Sequence, residues 1–172
     1  NTGLTKIYDG NNAAPVGFVP SFNYSGLIGT DSASLNYTSS NYLNANVLGT
    51  GLSSMAVNNL SIASIVNSNN GSLVSDYSLA GVTTKYVAAT ITPKTVALSA
   101  TKTYDGSTSL TGFVTVTTGI AGQTLSYTGA VANDAHVNTA NKFISAITLS
   151  NGNSASSNYK LPTLDNLNAP VT

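Results

Sequence analysis

The chain has no cysteine, no tryptophan, no glutamate and no arginine, and its one glutamine is Gln123. Without cysteine there is no disulfide, no thiol nucleophile, no thiolate zinc site and no iron–sulfur cluster. Charged residues make up 7 % of the sequence, against about 25 % in an ordinary soluble domain. The six positive charges are all lysine and the six negative charges all aspartate, so the formal net charge is zero. Such a chain has little field with which to draw nucleic acid or an acidic membrane surface. No apolar run is long enough to span a bilayer, and no signal peptide is visible. The abrupt start, NTGLTK, reads as a piece cut from a longer chain.

The polar residues present are asparagine, serine and threonine. Their short side chains compete for nearby backbone groups and disfavour helix interiors. Valine, isoleucine, threonine and tyrosine are common and suit a pleated surface. With 172 residues, 41 % of them hydrophobic, there is enough to bury a core, in one large domain or two modest ones. TVALSAT (95–101) alternates strictly, with Val96, Leu98 and Ala100 on one face, as a half-buried strand does. KYVAATI (85–91), GFVTVTT (112–118), TLSYT (124–128) and FISAITL (143–149) read similarly. The words DG, NNG, SNG and GNS between them read as turns. Short helices are expected at 134–143, capped by Asp134, and around 41–48.

The chain repeats itself. TKIYDG (5–10) returns as TKTYDG (101–106), GTDSASLNYT (29–38) as GIAGQTLSYT (119–128), SDYSL (75–79) as SNYKL (157–161) and ATIT (89–92) as APVT (169–172). Four anchors in one order make a duplication, which has to be settled before any fold is assigned. The module boundary falls near 93–95, giving modules 1–94 and 95–172, the first without its leading strand. The first copy is longer, and its extra residues are expected in 10–26 and 39–58.

The repeated phrase has its own turn chemistry. Gly10 and Gly106 take a positive φ at little cost, and Asp9 and Asp105 accept from following N–H groups. Tyr8 and Tyr104 can bury a ring and still leave the hydroxyl at the module's end. Lys6 and Lys102 are expected to lie along the strand surface. K-x-Y-D-G therefore closes a strand and fixes a loop; direct ligand contact is the weaker reading.

On these residues the sequence resembles the YDG repeat modules found in tandem in very large bacterial surface adhesins. These are often two-partner-secreted proteins with a filamentous-haemagglutinin-like head. The resemblance rests on ATITPKTVALSATKTYDGSTSL (89–110), on GQTLSYTG (122–129) and on SDYSL and SNYKL, and covers nearly the whole chain. It implies an extracellular, mostly β module at the bacterial cell surface, one of many in a projecting fibre. Its partners would be the neighbouring modules of its own chain, with no cofactor. The fold expected is mainly β: two tandem elongated modules, each a small β-sandwich or else β-grasp-like with one short crossover helix.

The inventory of reactive groups is thin. His136 is the one histidine, and with no cysteine or glutamate a transition-metal site is not expected. Asp9 and Asp105 are equivalent copies rather than a catalytic pair, no G-x-S-x-G elbow occurs, and no enzyme activity is expected. DGNN (9–12) lacks the clustered carboxylates of a calcium loop. No lysine–asparagine–acid spacing singles out an isopeptide cross-link.

Two functions remain in view. Short Pro-bearing linkers such as ITPKTV suit a stalk of stacked modules that supports attachment or biofilm cohesion. Alternatively, the extra residues of the first copy are binding loops, with Tyr24, Tyr37 and Tyr42 against carbohydrate (an exopolysaccharide or host glycan) or a matrix protein. Each of these tyrosines has core packing as its plainer role. Sequons stand at Asn23, Asn36, Asn59 and Asn70, all in the first copy, as candidate glycosylation sites.

Overall fold

Alternating runs such as ALSA (97–100) and VTVT (114–117) become strands, as their period of two predicted. The computed structural model of the chain describes residues 4–49, 52–66 and 71–172. The protein is mainly β. Among the described residues the helical segments are two single 3-10 turns, Val74–Asp76 and Ser156–Asn158. The chain divides into two compact units, Asn1–Lys6 with Asn11–Ile91, and Ile7–Gly10 with Thr92–Thr172.

In the first unit the strands are β1 (Leu4–Ile7), β2 (Ser32–Asn36), β3 (Ser39–Tyr42), β4 (Ser53–Asn58), β5 (Ser61–Val66) and β6 (Thr84–Thr92). A four-stranded sheet runs β1-β6-β4-β3, and β2 pairs antiparallel with β5 as a separate ribbon. β4 has hydrogen-bonded neighbours on both sides and is buried on both faces at Met55, Ala56 and Val57. With Tyr42, Leu60, Ala89 and Ile91 these residues make the unit's core.

The second unit continues with β7 (Lys94–Thr95), β8 (Ala97–Ala100), β9 (Val114–Thr117), β10 (Leu125–Ala132), β11 (Ile144–Asn151) and β12 (Tyr159–Lys160). β8 pairs antiparallel with β9, β10 with β11, and β7 runs parallel to β12. Val96, Leu98 and Ala100 point inward, as their alternation predicted, and meet a core of Leu110, Ile144, Ile147 and Ala169. The Tyr127 hydroxyl accepts from Val114 N–H at 3.0 Å and donates to Leu110 O at 3.3 Å. That tyrosine, the Y of the repeated L-x-Y-T, ties β10 to the loop before β9.

The expected helices do not form. At 134–143 the Asp134 side chain accepts from His136 N–H at 2.6 Å, and Asn141 takes a left-handed φ of 57°. In 41–48, Tyr42 ends β3 and Asn44 accepts from Asn46 N–H at 2.8 Å. Each bond makes a local Asx turn, and no run of strong helix formers follows to carry it on into a helix. The single 3-10 turns instead precede Tyr77 and Tyr159, so the repeated [D/N]-Y-x-L leaves the same turn in both copies.

Backbone hydrogen bonds also relocate the length difference. Ala14 N–H donates to Ser40 O and Tyr42 N–H to Asn12 O. Leu110 N–H donates to Ala130 O and Ala132 N–H to Thr108 O, the same pattern at the same spacing from the lysine. β3 and β4 are thus the counterparts of the end of β10 and the start of β11. Ser39–Tyr42 and Ser53–Asn58 are strands of the sheet rather than parts of an inserted loop, which corrects the expectation drawn from length alone. A six-residue excess stays between Ala14 and Ser40, where the sequence placed it.

Candidate functional site

The lysine of K-x-Y-D-G is not a surface residue. Lys6 is 9 % exposed. Its ammonium donates to Asn11 O at 2.7 Å and Ala13 O at 3.1 Å, and sits 5.2 Å from the centre of the Tyr42 ring. Lys102 repeats this, donating to Ser107 O at 2.9 Å and Ser109 O at 2.8 Å, with the Phe113 ring at 5.8 Å. In each copy the carbonyls five and seven residues on accept from one ammonium, so a single cation folds the loop back onto its strand. Lys102 also pairs with Asp105 at 2.7 Å. The Lys102 hydrogen bond, followed by that from Ser107 N–H, holds the Asp105 carboxyl below its ordinary value. Gly10 (φ +82°) and Gly106 (φ +78°) take the left-handed conformation the turn needs.

The two turns differ in what surrounds them. Ile7–Gly10 belongs to the second unit. There Tyr8 is 4 % exposed, and its hydroxyl donates to Gln123 Oε1 at 3.1 Å. Its ring meets Tyr159 edge to face, centroids 5.4 Å apart at 77°. Ser154 Oγ and the Tyr159 hydroxyl donate to the same Gln123 oxygen. Burial pushes the Tyr159 phenol pKa up. A side chain at Gly10 would lie 3.0 Å from Gln123 Nε2 and 3.3 Å from Ile120 Cγ2. Thr118 braces this socket through the carbonyls of Ile120 and Gln123, and Asn153 Nδ2 donates to Gly122 O at 2.7 Å. Tyr104, by contrast, is 57 % exposed, and a side chain at Gly106 would meet open space.

No family model, curated protein or solved structure matches the chain.

Gln123 is the residue that reading the sequence passed over. Its signal was there: it is the only glutamine in a chain that uses asparagine everywhere else. The first unit answers differently. Tyr77, the counterpart of Tyr159, donates to Asp31 Oδ2 at 2.5 Å and accepts from Ile28 N–H at 3.2 Å. The Asp31 contact raises the Tyr77 pKa above its ordinary value.

The three candidate contact tyrosines separate. Tyr42 is 1 % exposed beneath Lys6 and is a core residue, so it offers no face to a ligand. Tyr37 is half-buried, and Tyr24 is 40 % exposed. Tyr24 lines a cleft of about 280 Å³ with Phe22, Asn23, Leu35, Leu60 and Lys85. Of the sequon asparagines, Asn23, Asn36 and Asn59 are exposed, and Asn70 lies outside the described residues. Among the described residues no cluster of three or more histidine or carboxylate side chains could hold a metal ion. His136 is exposed in the turn held by Asp134.

Proposed function

We propose that the chain is a non-catalytic repeat region of an extracellular bacterial adhesin, a stalk or spacer that supports cell attachment or biofilm cohesion. The observation that carries this reading is the repeated lysine clamp. Two copies of one phrase build one loop with the same two carbonyl acceptors. In both, the lysine is committed to holding the backbone of its own loop. Repetition of a self-contained structural joint is what a stacked array requires. The resemblance to YDG modules gives the same setting: a bacterial surface, with neighbouring modules as partners and no role for nucleic acid or membrane insertion.

A second reading has one observation behind it. The Tyr24 cleft combines an exposed phenol, Phe22 and an asparagine, a surface suited to a sugar ring or a protein side chain. The test is a binding panel of exopolysaccharides, host glycans and matrix proteins against the chain and its Tyr24→Ala variant. A spacer gives no saturable binding to any of them. Saturable binding abolished by Tyr24→Ala would replace the spacer reading with an adhesive one.

A further inference from the structure

Tyr8 and Tyr104 stand in copies of one turn with the same clamp and nearly the same glycine φ, yet one is 4 % and the other 57 % exposed. The local sequence therefore builds the turn, and only the surroundings differ. Around Tyr8 those surroundings are a socket. Gln123 offers a carbonyl oxygen to the phenol, Tyr159 offers a ring edge, and the loop carrying Ile120 closes over Gly10. By sequence Tyr8 is the first copy's residue; in space Ile7–Gly10 is gathered into the second unit. A turn from one copy thus completes the core of the unit built by the next.

We infer that Tyr104-Asp105-Gly106 is a preformed plug for a further module of the same type, joined in line after Thr172. The occupant of this surface would present a glutamine and a tyrosine in the places of Gln123 and Tyr159. Three features fit it to that partner. The plug is rigid before docking, because Lys102 already holds the loop and Asp105, so little entropy is lost on binding. Gly106 has open space where Gly10 has Gln123 and Ile120, the room an incoming loop needs. Beside Tyr104 lies a cleft of about 530 Å³ in which Leu110, Val137 and Val171, set among Lys102, Asp105, Asp134 and Lys142, offer apolar contact to the isoleucine of that loop. The inference rests on the tandem-array reading, and not on any choice between spacer and adhesive module.

The test lengthens the chain. A second copy of residues 93–172 is fused after Thr172, so that Thr172 is followed by Pro-Lys as Thr92 is, and the appended copy carries Tyr104→Phe so that only the original Tyr104 is read. Tyrosine nitration with tetranitromethane is then followed residue by residue by mass spectrometry, with Tyr8 as the protected reference. In the original chain Tyr104 is expected to nitrate readily. In the extended chain its nitration should fall to the level of Tyr8. It should recover when the appended copy carries Gln123→Ala together with Tyr159→Ala. Amide exchange across the appended β10 and β11 checks that the copy is folded in both versions. Equal nitration of Tyr104 in the original and extended chains, with the appended copy folded, overturns the inference. That result leaves the spacer reading intact, whereas saturable binding in the ligand panel overturns the spacer reading without moving Tyr104.

Discussion

The phenol of Tyr8 and the side-chain carbonyl of Gln123 meet at 3.1 Å across 115 residues of sequence. Gln123 is also the acceptor for Ser154 and Tyr159. One amide oxygen thus gathers three hydroxyls from two distant parts of the chain. Replacing Gln123 with alanine leaves those hydroxyls to find new acceptors in a partly buried site. The expected loss is about 2 kcal/mol, with Tyr8→Phe losing about 1 kcal/mol because it gives up one hydrogen bond and keeps the ring. Urea unfolding of the two variants checks both values. Equal stability of Gln123→Ala and the parent would remove the glutamine from its central place.

The two lysine clamps should be worth similar amounts. Lys6→Met and Lys102→Met each keep an apolar stem and delete the ammonium, leaving two carbonyls without their donor. Each is expected to cost about 2 kcal/mol, the scale of hydrogen bonds to a charged group. Arginine should not rescue either site, because its planar fork does not present donors as a compact ammonium does. Thermal unfolding of Lys6→Met, Lys6→Arg and the corresponding Lys102 variants reads this directly.

Gly10→Ala and Gly106→Ala separate backbone strain from crowding. Both put a side chain at a positive φ, which costs about 1 kcal/mol. Only at position 10 does the new methyl also press on Gln123 and Ile120. Gly10→Ala is therefore expected to be the more damaging, by an amount that denaturant midpoints resolve. A larger loss at Gly106 would contradict the crowding seen around Gly10.

Stability should fall at both ends of the pH scale. Asp105, Asp134 and Asp165 have carboxyls held below the ordinary 3.8. For Asp134 the leading cause is His136 N–H, and for Asp165 it is Asn168 N–H. The folded state prefers these groups ionised. Their contribution is present above about pH 4 and is lost as pH falls through the lowered values. Tyr77 and Tyr159 are raised above the ordinary 10.0, by the Asp31 contact and by burial. The folded state prefers them protonated, so that contribution is present below about pH 10 and is lost as pH climbs through the raised values. A melting-temperature profile with a plateau between the two limits is expected. On the alkaline side, Tyr77→Phe should reduce the slope.

Much of the fold was legible in the sequence because it is written locally. The period of two in TVALSAT buried Val96, Leu98 and Ala100 as read, and the Asp-Gly turns formed where the words DG stood. The helices failed for a reason that composition already contained. Asp134 and Asn44 made local Asx turns, and no run of strong helix formers followed to extend them. The length excess assigned to 39–58 failed because sequence alignment without geometry cannot tell a lengthened loop from a shifted strand; the paired bonds of Tyr42 and Ala132 could.

What the sequence determined by itself is the β character, the duplication and the conformation of each K-x-Y-D-G turn. The strands and the turns depend on groups a few residues apart, such as the Lys102 ammonium and the carbonyls of Ser107 and Ser109. Where each turn goes is set by packing across the chain. Phrases matching at five of six residues left Tyr8 under Gln123 and Tyr159 and left Tyr104 exposed, and burial removed Tyr42 from the candidate ligand contacts. Burial depends on partners brought together across long stretches of chain, and a six-residue phrase carries no information about what will cover it.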